Sequence, residues 1–158
     1  MQTQTDNTAT EMIAVHPFFK EINPSFLSIL NRIARFVTYD VKDTILQEGA
    51  DAESFHLIHS GTVALEAYVP GRGSVTVQIL GAGEALGFSW LFPPYRWHFS
   101  ARPIHRTEAV LLDARALREE AKRNHEFGHD LSMRVGQITM QRLQAARALL
   151  VDYHGITE

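Results

Sequence analysis

The sequence predicts a mainly β domain with flanking helices, and three observations predict it. The hydrophobic period changes from helical to two after Phe36 and returns to helical at Ala114. Between those points, short apolar runs alternate with turn signals at the spacing of a sandwich or jelly-roll barrel. The length, 158 residues, suits one domain able to bury a sizeable core.

Each element can be justified in order. Residues 1–10, rich in Thr, Gln and Asn, read as a disordered tail, and residues 11–155 as the domain. A short helix over about 11–20 carries Ile13 and breaks or bends at Pro17 in "HPFF". In "NPSFLSILNRIARF", Asn23 fits an N-cap and Pro24 the first helical position. Phe26, Leu27, Leu30 and Ile33 then form an apolar stripe. Candidate strands follow in "FVTYDV", "TILQEG", "SFHLIHSG", "TVALEAYV", "SVTVQIL", "WHFSAR" and "EAVLLD". "YVPGRGSV" reads as a hairpin, with Gly71 and Gly73 supplying positive φ.

After Ala114, "ARALREEAKRNHE" is a short helix with Asp113 as its N-cap. A longer helix runs from about Phe127 to His154, with Gly155 as the stop. On it, Leu131, Val135, Ile138, Ala145 and Leu149 form a line, which Met140, Leu143 and Leu150 widen. Two readings fit so broad a surface: one wide stripe on a single core, or a second face covered by another copy of the chain. The second predicts a homodimer through the C-terminal helix.

Composition excludes several classes. The chain is 45% hydrophobic and 21% charged, with a net charge of −3, so no basic excess marks a nucleic-acid partner. It has no cysteine, which removes disulfides, thiolate metal sites and cysteine nucleophiles. "MQTQTDNTATEM" lacks the basic-then-apolar pattern of a signal peptide. No apolar run approaches the roughly 18 residues of a membrane span. The expectation is a soluble, cytoplasmic protein that contacts no membrane. Nothing pairs a nucleophile with a base, so no enzymatic activity is expected.

The densest signal is "GEALGFSWLFPPYRWHFSAR", residues 83–102. It holds both tryptophans and six aromatic rings within twelve positions, beside Arg96 and Arg102. Alternation sets Tyr95, Trp97, Phe99 and Ala101 on one face, and Arg96, His98, Ser100 and Arg102 on the other. The rings fit either a ligand pocket or a filled core. The two arginines fit either anion binding or solvation.

From "HPFF" through "INPSFLSIL", the "QEG" turn at 47–49, "FHLIHSG" ending on Gly61, and "RLQAARALLVDY", the chain resembles the cyclic nucleotide-binding domain of catabolite-activator-type regulators. The resemblance implies an eight-stranded jelly-roll barrel (a double-stranded β-helix) and a long helix that commonly pairs two subunits. It also implies a phosphate-binding cassette at the glycine turn. There a Gly-Glu pair opens a short helix facing the phosphate, the Glu accepts from the ribose hydroxyl, and a later Arg pairs with the phosphate. Aligned on Gly87, the pattern puts Phe88 at the Glu position and Ser89 beside it. Counted back from Ala101, Tyr95 takes the Arg position, with Arg96 one residue off and Trp97 where a small residue is usual. Glu84 fits the turn before the cassette. Gln141 and Arg142 lie where the family's long helix approaches the base.

Losing the Glu acceptor costs about 1–3 kcal/mol, and losing the charged phosphate partner costs about 2–5 kcal/mol. A micromolar ligand has only about 8 kcal/mol in all. The expected function is therefore a stand-alone regulatory or sensor domain whose ligand departs from cyclic AMP and cyclic GMP, so its cofactor is left open. The ligand candidates are Gly87, Phe88, Ser89, Tyr95, Arg96, Trp97, Gln141 and Arg142. Without a basic recognition helix, this chain alone is not expected to bind DNA. An alternative is a structural or protein-interaction domain with its pocket plugged by Trp97 and Phe99. A distant alternative is a cupin-like metal enzyme, against which His56 and His59 have the wrong spacing and His125 and His129 straddle a helix junction.

Overall fold

A computed structural model describes residues 2–4 and 7–155. They form two compact units, divided in the chain between Glu120 and Ala121. In the first unit, β1 (Gln2–Gln4), α1 (Asn7–Val15) and α2 (Pro24–Ile33) precede β2 (Ala34–Tyr39). Strands β3 (Ser54–Ser60), β4 (Thr62–Val69), β5 (Gly73–Gly81), β6 (Ser100–Pro103) and β7 (Thr107–Asp113) follow, and α3 (Ala114–Arg123) runs across the boundary. The second unit is dominated by α4 (His125–Tyr153).

The strands form the jelly roll in two sheets, ordered β1-β2-β7-β3 and β5-β4-β6, with every named pair antiparallel. Both faces of the first sheet carry buried apolar residues. Val37, Tyr39, Ala109 and Leu111 cluster with Ile45 on one face, while Phe36, Phe55, Leu57, Val110 and Leu112 are buried from the other. Such strands read as near-continuous hydrophobic runs, as "FHLI" and "AVLL" do.

Local chemistry fixes the ends of the elements. Asn23 caps α2 by accepting the Ser25 N–H at 3.0 Å, with Pro24 in the first turn as expected. Phe26, Ile29 and Leu30 carry its buried face; Leu27 and Ile33 are only half-buried. Asp113 caps α3 by accepting the Ala116 N–H at 3.0 Å. Gly155 closes α4 at φ +68°. Gly61 between β3 and β4 has φ +104°, and a Cβ there would lie 2.5 Å from the Arg106 carbonyl, so only glycine fits.

Several expected boundaries move. Within the stretch 1–10 expected to lack structure, Gln2–Gln4 pairs with β2, and α1 begins at Asn7 rather than Glu11. "TILQEG" contributes one bridge, Leu46 to Ala101, instead of a strand, because its polar end turns away at Gly49. His125 and His129 both lie inside α4, whose cap is Asn124. On α4, Phe127, Leu131 and Val135 are buried and Ile138 half-buried. Ala145 and Leu149 are exposed, so the single line read from the sequence divides along the helix.

Candidate functional site

The site is built around the turn that leaves β5. Glu84 Oε2 accepts the Gly81 N–H at 2.7 Å, closing that turn on itself. Residues 84–86 then run beside β3: Ile58 N–H donates to the Glu84 carbonyl and Leu86 N–H to the His56 carbonyl. This carries Gly87 to the head of a one-turn 3-10 helix, Ser89–Leu91.

Gly87 is buried, and its missing side chain is the point of the local packing. A Cβ there would stand 2.6 Å from Phe99 Cζ and 3.3 Å from Trp97 Cζ3. The two rings, 5.9 Å apart, occupy the space in front of the glycine. Phe88 packs the opposite way, 6.2 Å from Phe18 and 5.9 Å from Phe55. Trp90 is fully buried against Phe55 at 4.8 Å. Its Nε1 has no hydrogen-bond partner, a cost accepted for the volume the ring fills. His16 locks the other side of this cluster. Its Nδ1 accepts the Phe18 N–H at 3.1 Å and its Nε2 donates to the Ile58 carbonyl at 3.0 Å. Burial holds its pKa below the ordinary histidine value.

Beyond Pro93 and Pro94 the chain is held through its backbone. Tyr95 adopts φ +58°. Its N–H donates to Phe92 at 2.9 Å, and its carbonyl accepts from Ala52 at 2.7 Å. Trp97 exchanges hydrogen bonds with Ala50 and Gly49. Arg96 faces solvent, as the alternation of the sequence places it. Its Nη1 donates to the Gly49 carbonyl at 3.0 Å, and its Nη2 lies 3.5 Å from Asp51. Arg102 pairs with Glu66 at 2.9 Å.

The structure thus brings Gly87, Trp97 and Phe99 together and sends Phe88, Tyr95 and Arg96 in three other directions. Ser89 stands half-buried in the 3-10 turn. Gln141 is exposed and Arg142 half-buried on α4, in the second unit.

Sequence reasoning missed Arg118. Its Nη1 donates to the Trp90 carbonyl at 2.7 Å, and its guanidinium sits 4.2 Å above the Tyr95 ring. Its position one turn into α3, after an aromatic-rich segment, was the available signal. A buried polar pair also escaped notice. Tyr39 Oη lies 2.7 Å from His56 Nε2, and Ser54 Oγ is 3.4 Å from His56 Nδ1. Burial lowers the His56 pKa to about 4 and raises that of Tyr39, with Asp43 adding to the latter. Among the described residues no three His, Asp or Glu side chains converge as metal ligands, and no helix is long and apolar enough to cross a membrane.

Comparison with known proteins gives a consistent answer. The sequence model of one family, the cyclic nucleotide-binding domain, matches residues 36–124. A candidate cyclic nucleotide-binding protein of Geobacter metallireducens GS-15 superposes with a TM-score of 0.77 at 25% identity, over 85% of this chain and 98% of that one. A cyclic nucleotide-binding domain from Methylobacillus flagellatus gives 0.81 at 18% identity, over 93% and 85%. The Thermus thermophilus catabolite activator protein gives 0.66 at 24% identity, over 85% of this chain and 61% of that one. No curated sequence matches the chain.

Proposed function

The chain belongs to the cyclic nucleotide-binding domain family, and we propose that it is a regulatory domain whose cassette is closed to cyclic nucleotides. The observation that carries this reading is the filling of the space over Gly87 by Trp97 and Phe99. A phosphate on the Cβ side of that glycine would overlap the two rings. The groups the family brings to the ligand are also missing from the cavity side. Phe88 packs on Phe18 and Phe55, and Arg96 is engaged outside by Gly49 and Asp51.

The chain works without catalysis, in the cytoplasm, and passes its signal as a homodimer. Support for the dimer comes from α4. Met133, Met140, Leu143 and Leu150 are exposed at 52%, 54%, 46% and 58%, and with Gly136 and Arg147 they recur at alternating spacings of three and four. That spacing suits the seam of a two-stranded coiled coil, with Arg147 the single charge in it. Light scattering should give twice the chain mass for the native protein and a monomer for Met140→Glu/Leu143→Glu.

Thermal unfolding tests the closed cassette. A ligand present at a hundred times its Kd adds about 2.7 kcal/mol of stability, which a small domain shows as a rise of several degrees. Cyclic AMP and cyclic GMP at about 100 times a micromolar Kd should leave Tm unchanged. A rise with either nucleotide overturns the reading.

A further inference from the structure

We propose that the open cavity where β2, β3 and β7 meet the start of α3 is a binding site for a small organic phosphate. The cavity, open to solvent, offers about 550 Å³ and is lined by Arg35, Glu53, Ser54, Leu111, Asp113, Arg115 and Arg118. That volume is within the range of small-molecule pockets. Strand register assembles it. Arg35 pairs with Leu111, and Ser54 pairs with Asp113, so residues from three strands reach one end of the sheet. Since α3 begins directly after Asp113, Arg115 and Arg118 are delivered to the same place, one helical turn apart.

The charge balance favours an anion. Three guanidiniums face two carboxylates, and one of the latter, Asp113, is already occupied in capping Ala116. Among the described residues neither Arg35 nor Arg115 is in an ion pair, and both are exposed. Arg118 is held in place by Trp90 and Tyr95, yet a guanidinium has five N–H donors, so most of them remain for a ligand. Guanidiniums arranged around a cavity match the oxygens of a phosphate in paired hydrogen bonds. Glu53 and Ser54 supply acceptors for hydroxyl groups on the organic body. Ligand binding at Arg118 would be felt at Trp90, since one side chain serves both.

This site shares only Arg118 with the cassette and stands whether or not the cassette admits a nucleotide. The test is calorimetric titration of the full chain with inorganic pyrophosphate and with ribose 5-phosphate at low salt. Saturable binding of one molecule per chain is expected, weakened about tenfold or more in Arg35→Ala/Arg115→Ala. Both replaced side chains are exposed, so an unchanged melting curve for that variant confirms that its fold is intact. Arg96→Ala should bind as the native protein does. Absence of saturable binding to the native chain, equal affinity in the double variant, or loss of binding in Arg96→Ala would each overturn the proposal. Cyclic AMP binding that disappears in Arg96→Ala would refute the closed cassette and leave this site untouched.

Discussion

The cassette and the arginine cavity share one side chain, Arg118, and are otherwise opposites. Around Gly87 the chain has placed rings: Trp97 and Phe99 in front, Phe88 and Trp90 behind, with Arg96 turned out to solvent. At the start of α3 it has placed three guanidiniums around open volume. The first region gains stability from packing and turns Arg96 away from the glycine. The second keeps charges in water, where they cost little to maintain and stay available. The difference teaches that a family's position for a ligand and a chain's capacity to hold one can separate, because the first depends on topology and the second on side chains.

Four predictions can break or sharpen that contrast. The largest effect is expected for Trp90→Ala, which empties a fully buried site and should cost about 3–5 kcal/mol in urea unfolding. A loss below about 1 kcal/mol would mean the rings behind Gly87 are not packed as described.

Next comes pH. His56 has its folded pKa lowered to about 4, below the unfolded value of 6.5, so the unfolded chain binds the extra proton first. Its contribution is complete above pH 6.5 and is lost as the pH falls toward 4, by about 3 kcal/mol. His56→Gln should flatten the fall in stability between pH 7 and pH 4.5; equal slopes would contradict a neutral buried ring.

A third, intermediate effect belongs to Gly87→Ala. The new methyl would meet Phe99 and should cost about 1–3 kcal/mol, recovered in part by Phe99→Leu. If Gly87→Ala melts like the native protein, the rings do not close the cassette.

The smallest effect is expected for Arg96→Ala. Its ion pair with Asp51 is solvent-exposed at both ends and should be worth less than about 1 kcal/mol. A larger loss would show a buried role for this arginine.

Much of the fold was legible because local chemistry decided it. Asn23-Pro24, Asp113 and Gly155 mark helix ends by capping geometry that needs no tertiary context. Gly71 and Gly73 mark their hairpin in the same way, both with positive φ. The misses came from long-range contacts. His125 and His129 were expected on either side of a helix junction, yet Asn124 caps α4 and both histidines lie inside it. "TILQEG" looked like a strand, but the backbone of Gly49 and Ala50 is used by Trp97 across the roll.

For the candidate site, strand parity correctly set Arg96 outside and Trp97 inside, because a period of two needs only the local sequence. Phe18 and Phe55 as partners of Phe88 could not be read, since three separate segments meet there. The arginine cavity was equally hidden. Arg35 and Arg115 are far apart in sequence and approach only through the β2-β7-β3 register.

Calorimetric titration of the purified native chain with cyclic AMP and cyclic GMP tests the closed cassette most directly. Trp97 and Phe99 over Gly87 predict no saturable heat with either nucleotide from folded protein. Binding at micromolar affinity or tighter would contradict that account and place a phosphate where the two rings now lie.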